Sequence, residues 1–201
     1  MGNLSRLAKA LGRAQADLAA RNVRFALIGG LAVSARTEPR FTRDLDLAVA
    51  VNDDAGAEAV VRGLIEIGYT PMTVLEQTAT HRLATVRMLP PAEEAPGPVV
   101  DLLFASSGIE PEIVGAATPL EVFPAVILPV ATVGHLIAMK SLSRSERRPQ
   151  DTLDLFGLLA LATPEDLAMA REAVLLIQQR GFNRGRDLEA ELARSIRDAA
   201  I

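Results

Sequence analysis

The chain has 201 residues, 49% of them hydrophobic and 23% charged, enough for one sizeable core with a small second lobe and too apolar for a disordered polymer. Lys and Arg total 21 against 25 Asp and Glu, a net charge of −4 that excludes a generic nucleic-acid coat or a polybasic membrane binder and confines any nucleic-acid contact to a local patch. Cys is absent, which excludes disulfide frameworks, zinc ribbons and thiol catalysis, and the two His residues, His81 and His135, are too few and too far apart for a His-based metal site or relay.

Between Asn3 and Ala20 the residues Leu4, Leu7, Ala8, Leu11, Ala14 and Leu18 recur every three or four positions, which predicts an amphipathic helix. The apolar run Val23–Ile28 predicts a strand, Gly29 and Gly30 a tight turn, and Leu31, Ala32, Val33 and Ala35 the start of a second helix. Leu45–Val51 reads as the next strand and Asp53–Gly68 as a helix with Ala57, Val60, Val61, Leu64 and Ile67 facing inward. His81–Leu89 and Val99–Phe104 are further strands, joined by a hairpin loop carrying Pro90, Pro91, Glu93, Glu94, Pro96 and Pro98, so the sheet is mixed. Ala105–Pro119 is loop-like, and Val126–Val130 is a short edge strand. Thr132 caps a helix reaching about Ser143. Helices over Asp151–Leu161, from Thr163-Pro164-Glu165-Asp166 to Gly181, and over Asp187–Arg197 complete the chain. The fold class is α/β (α+β): a mixed β-sheet flanked by helices in residues 1–131, followed by a C-terminal helical lobe in residues 132–201. No apolar stretch reaches the roughly 18 residues of a membrane span, and the first segment lacks the regions of a signal peptide, so a soluble, cytoplasmic protein without membrane contact is expected.

Two segments carry chemistry. At the end of the first strand, Gly29 and Gly30 let the backbone turn sharply and approach a ligand, while the helix that follows aims free N–H groups and its positive end at an anion such as a triphosphate. After the spacer 31–43, Asp44 and Asp46 stand at i and i+2 of a strand, so both carboxylates share one face while Leu45 and Leu47 turn to the other. Paired oxygen donors of this kind suit a hard divalent cation, above all Mg²⁺, with Mn²⁺ as its substitute. Asp101, inside the apolar run Val99–Phe104, is a third acid that requires a partner. If its strand neighbours that of Asp44 and Asp46, three carboxylates converge on one or two metal ions for in-line attack on phosphorus.

The apolar strand, Gly-Gly, spacer and Asp-x-Asp resemble the nucleotidyltransferase superfamily related to DNA polymerase beta. More narrowly, Gly29-Gly30-Leu31-Ala32-Val33 followed by Arg40-Phe41-Thr42-Arg43-Asp44-Leu45-Asp46-Leu47 resembles the abortive-infection nucleotidyltransferases that act as toxins of type IV toxin–antitoxin pairs. His135-Leu-Ile-Ala-Met-Lys140, then Arg147-Arg148-Pro-Gln-Asp151-Thr-Leu-Asp154-Leu, is similar to that family's later motif. The resemblance covers roughly Val23–Leu159. It implies a metal-dependent enzyme that moves a nucleoside monophosphate from a nucleoside triphosphate to a hydroxyl, favouring the 3′ end of a tRNA, and a cognate antitoxin protein as partner. It further implies Asp44, Asp46 and Asp101 as catalytic residues and metal ligands, Asp101 also receiving the acceptor's proton. Gly29, Gly30, Ser34, Arg40, Thr42 and Lys140 would bind the nucleotide. Gly30 departs from the superfamily, in which many members carry Ser there, so backbone N–H groups or Ser34 must serve in place of that hydroxyl.

Because the net charge is acidic, an RNA acceptor needs a local basic face, for which Arg36, Arg40, Arg43, Arg144, Arg147 and Arg148 are the candidates. Asp151 and Asp154, at a helix start, are read as acids that favour the helix dipole, and His81 and His135 as structural. Two other readings stay open: an antibiotic-type nucleotidyltransferase with a small-molecule acceptor, and a non-catalytic module that binds a nucleotide or partner on the same fold. The absence of G-x-G-x-x-G and of Gly-Lys-Ser or Gly-Lys-Thr excludes dinucleotide-binding and P-loop sites.

Overall fold

The computed structural model describes residues 2–40, 42–78, 80–91, 93 and 97–199, with side chains from residue 6 onward. Glu94 and Pro96 of the expected hairpin loop, and Phe41, lie outside the described residues. The strands among those described are β1 (Phe25–Ile28), β2 (Asp44–Val49), β3 (Thr70–Glu76), β4 (Leu83–Leu89), β5 (Val99–Leu103), β6 (Thr118–Phe123) and β7 (Val126–Val130). They form one sheet in the order β3-β4-β5-β2-β1-β7-β6. The β2–β5 and β1–β7 pairs are parallel and the others antiparallel, giving the mixed sheet that the alternation of elements predicts.

The helices are α1 (Gly2–Ala19), α2 (Gly29–Arg36), α3 (Asp54–Ile65), α4 (Glu110–Ala116), α5 (Val133–Ser143), α6 (Pro149–Leu159), α7 (Pro164–Gln179) and α8 (Leu188–Ala199). On one face of the sheet, Ala14 and Leu18 of α1 and Leu64 of α3 meet Met88, Val100 and Leu102. Leu45, Leu47, Leu102 and Met88 are fully buried there, each contributing roughly 1.5–3 kcal/mol relative to exposure. The same alternation that buries these side chains turns Asp44, Asp46, Arg87 and Asp101 to the opposite face. Core residues from both sides of Ala131, including Leu27, Leu136, Leu155 and Val174, belong to one continuous apolar cluster. Among the described residues no helix is long and apolar enough to cross a membrane.

Several elements differ from expectation. Val126–Val130 is an interior strand between β1 and β6, and β6 takes the edge. The segment 105–119 contains α4, whose start is fixed by buried Glu110: its carboxylate accepts from the Ser106 N–H (2.9 Å), the Ser107 N–H (2.7 Å) and the Ser107 hydroxyl (2.9 Å). β3 is an additional edge strand, exposed along its whole length and interrupted by Pro71, so no burial alternation betrays it. Helix α6 starts at Pro149, two residues before Asp151, because proline is tolerated in a helix's first turn. The Thr132 cap is as expected, its side chain accepting from the His135 N–H, and Thr163 with Asp166 forms a full capping box for α7.

Candidate active site

Strand β1 passes directly into α2 with no residue between Ile28 and Gly29. Gly29 has φ +66°, and a Cβ there would overlap the Asp46 carboxylate, so only glycine brings the helix start against the acid. A Cβ on Gly30 would lie 2.7 Å from the Arg40 guanidinium and 3.1 Å from the Thr42 hydroxyl. The space beside Gly30 is thus filled by Arg40 and Thr42.

Parallel pairing of β2 with β5 sets Asp46 opposite Asp101, and antiparallel pairing of β5 with β4 sets Asp101 opposite Arg87. Ile28, Asp46, Asp101 and Arg87 therefore form one row across four strands. Burial, then the neighbouring Asp101 and Asp44 charges, push the Asp46 carboxyl up to about 7, against the opposing pull of Lys140 and Arg87. Arg87 grips Asp101 with both arms of its fork, Nε to Oδ1 at 2.8 Å and Nη2 to Oδ2 at 2.6 Å, and stands 3.7 Å from Asp44. These carboxylates hold its guanidinium more firmly protonated than usual, the hydrogen-bonded Asp101 first.

Behind the acids, Lys140 of α5 donates to Asp151 Oδ1 at 2.5 Å and pairs with Asp154 Oδ2 at 2.8 Å. Arg40 makes its own two-armed contact to Asp154, at 2.7 and 2.6 Å, and Gln150 donates to the same carboxylate at 3.0 Å. Burial alone would push Asp154 up, but the bonds from Arg40, Lys140 and Gln150 outweigh it and hold the carboxyl below its ordinary range. Asp151 and Asp154 are thus members of a buried ion network, beyond the helix-dipole role that their position suggests.

Gly29, Gly30, Arg40, Thr42, Asp44, Asp46, Asp101, Lys140, Arg147 and Arg148 all line one cavity of about 500 Å³. Arg87 and Arg184, which sequence reasoning passed over, line it too, as does Asp151, which was read only as a helix-dipole acid. Arg87 alternates with buried Val86 and Met88 one strand from Asp101, a signal readable only once the hairpin register is known. Arg184 enters from the turn after α7 at φ +56°, where burial and then the neighbouring Arg148 and Arg186 lower its pKa. Four expected residues lie elsewhere. The Ser34 hydroxyl bonds Gly30 O at 3.1 Å and Arg40 N at 3.3 Å, Arg36 ties α2 to Val130 O and Ala131 O, and Arg144 donates to Ser195 on α8 at 3.1 Å. Arg43 is exposed outside the cavity. His135 is buried against Thr132 Oγ1 at 2.9 Å, and burial lowers its pKa.

Among the described residues no three acids, His or Cys form a metal-holding cluster. Asp101 stands in register with Asp46 but is covered by Arg87, whereas Asp44 and Asp46 present oxygen donors to the cavity. Two oxygen-donor acids crowded on one face suit a hard divalent cation.

The family model for the nucleotidyl transferase AbiEii toxin of type IV toxin–antitoxin systems matches residues 11–201. The chain belongs to the AbiEii nucleotidyltransferase toxin family. The AbiEii match includes every cavity-lining element from β1 to the turn after α7. A search of curated protein sequences finds no match. Among solved structures, an antigenic nucleotidyltransferase-like protein from Paracoccidioides brasiliensis is similar at TM-score 0.56 and 15% identity, over 96% of this chain and 93% of that one, which shows the shared fold. The antibiotic-resistance factor ANT(2″)-Ia in complex with adenylyl-2″-tobramycin aligns at TM-score 0.49 and 16% identity, over 93% and 97% of the two chains. The nucleotidyltransferase toxin MenT4 from Mycobacterium tuberculosis H37Rv aligns at TM-score 0.35 and 16% identity, over 96% and 93%.

Proposed function

We propose that this AbiEii-family protein transfers a nucleoside monophosphate from a nucleoside triphosphate to a hydroxyl acceptor, with the end of a tRNA as the favoured acceptor. The carrying observation is that the Gly29–Gly30 turn, the Asp44–Asp46 pair, Asp101 and Lys140 share one cavity. In the reaction the acceptor oxygen bonds to the α-phosphorus, the α–β anhydride bond breaks, pyrophosphate leaves, and the acceptor proton passes to Asp101 or to water. Asp44 and Asp46 would hold Mg²⁺ or Mn²⁺, with Asp101 the third acid within reach by register. A divalent cation, when bound, neutralises triphosphate charge and lowers the pKa of the acceptor hydroxyl. Gly29 and Gly30 line the cavity at the start of α2, whose N–H groups would meet phosphate oxygens. Lys140, lining the cavity beside Asp151, neutralises charge that develops on the leaving pyrophosphate.

Support for an anionic acceptor comes from Arg147, Arg148 and Arg184 on the same cavity, a lining that would repel a cationic drug. A cognate antitoxin protein, as the AbiEii family implies, completes the proposed partners. One observation favours the second, non-catalytic reading: the Arg87 guanidinium already engages both oxygens of Asp101 and so reduces the charge that acid offers to a metal.

The test offers α-labelled nucleoside triphosphates and a panel of acceptors, total tRNA, a partner protein fraction and an aminoglycoside, with Mg²⁺ present. Label should enter tRNA, and Asp44→Ala or Asp46→Ala should lower the rate by at least about a hundredfold while circular dichroism is unchanged. Full activity in both variants would refute the assigned roles, and nucleotide binding without label in any acceptor would select the non-catalytic reading.

A further inference from the structure

The row that presents Asp46 and Asp101 to the cavity ends on a cation supplied by the chain itself. Arg87 reaches Asp101 because antiparallel pairing places the two residues directly opposite. Both Asp101 oxygens are engaged, and the guanidinium extends to within 3.7 Å of Asp44. The Asp101 side chain is 11% exposed while that of Arg87 is 40% exposed, so the arginine covers the acid from the open side of the cavity. Three carboxylates turned to one face without such a charge would repel one another strongly.

We infer that Arg87 is an internal counter-ion that competes with a divalent cation for Asp101, so that full metal loading of the site requires the Arg87–Asp101 pair to open. This rests on the metal-dependent reading given above. With the pair closed, Asp44 and Asp46 are the acids left without a two-armed partner, and the Arg87 charge opposes both metal ligation and protonation at Asp101. With the pair open, Asp101 is released for both. Arg87 is therefore a positioning residue acting through Asp101. It also gives the metal-free protein a stable arrangement of three acids, which links its two roles: what stabilises the empty site weakens its affinity for metal.

The test measures Mn²⁺ binding to the full chain without nucleotide, by the electron paramagnetic resonance signal of free Mn²⁺, for wild type, Arg87→Met, Arg87→Gln and Arg87→Lys. Arg87→Met and Arg87→Gln should bind Mn²⁺ about tenfold more tightly than wild type, since the competing charge is gone, whereas Arg87→Lys should stay near wild type. In parallel, both neutral variants should melt lower than wild type in EDTA and gain more in melting temperature from Mg²⁺. Equal or weaker Mn²⁺ affinity in a folded neutral variant overturns the proposal while leaving the transfer reading intact. Mn²⁺ bound by none of the proteins in the millimolar range, nor by wild type with a nucleoside triphosphate added, overturns the metal-dependent reading itself and this proposal with it.

Discussion

At the scale of single residues, the site depends on how closely α2 approaches β2. Gly29 combines a left-handed backbone with contact against the Asp46 carboxylate, two demands that no side-chain-bearing residue meets together. Gly29→Ala should therefore cost at least about 2 kcal/mol in urea unfolding and lower transfer at the same time, because relieving the overlap displaces Asp46. A variant as stable and as active as wild type would show that α2 does not press on the acid. Gly30 faces a different neighbour, the Arg40 side chain, whose two-armed hold on Asp154 fixes the segment just before Asp44.

Elements bring these residues together from distant parts of the chain. Lys140 on α5 joins Asp151 and Asp154 on α6, and all three are buried. Lys140→Met removes the cation and leaves Asp151 without its short hydrogen bond, so unfolding free energy should fall by about 3 kcal/mol, measured by chemical denaturation. A change below about 0.5 kcal/mol would show that the network contributes little. Much of this assembly was legible in the sequence where the signal is local. Alternation along Asp44-Leu45-Asp46-Leu47 set both acids on one face, the glycines marked the strand-to-helix turn, and Thr132 and Thr163 marked helix starts. Contacts that depend on pairing register or helix crossing were not. The Arg87–Asp101 pair spans a loop whose length does not fix the register, and Asp151 and Asp154 looked like dipole acids because nothing in their own helix announces Lys140 or Arg40. β3 lacked a signal for another reason, since a strand exposed along its whole length has no apolar alternation to read.

The molecule as a whole places its cavity where the acid-bearing face of the sheet meets α2, α5, α6 and the turn after α7. One apolar cluster supports these parts together, so titration of a group buried in it affects the stability of the entire fold. His135 is such a group: burial holds its pKa below the ordinary 6.5, so the unfolded chain binds the proton more readily. Its stabilising contribution is fully present above about pH 6.5 and is lost as pH falls from there toward the lowered folded value. Thermal melts should accordingly show wild type losing stability relative to His135→Gln between about pH 7 and 5, with the variant's own loss over that range smaller. Parallel curves for the two proteins would contradict a neutral, buried imidazole. The acids and bases around the cavity have a consequence at this scale too, since a net-acidic chain presents Arg147, Arg148 and Arg184 at one opening.

Nucleotidyl transfer is tested most directly by following both ends of the same triphosphate. Protein, Mg²⁺ and total tRNA are incubated with nucleoside triphosphate carrying distinguishable labels at the α- and γ-phosphates, beside an Asp44→Ala, Asp46→Ala double variant. Nucleoside monophosphate transfer should put α-label in RNA and γ-label in pyrophosphate, and neither with the variant. The γ-label in RNA, or in orthophosphate with no α-label transferred, would mean that the site breaks a different bond and would contradict nucleotidyl transfer.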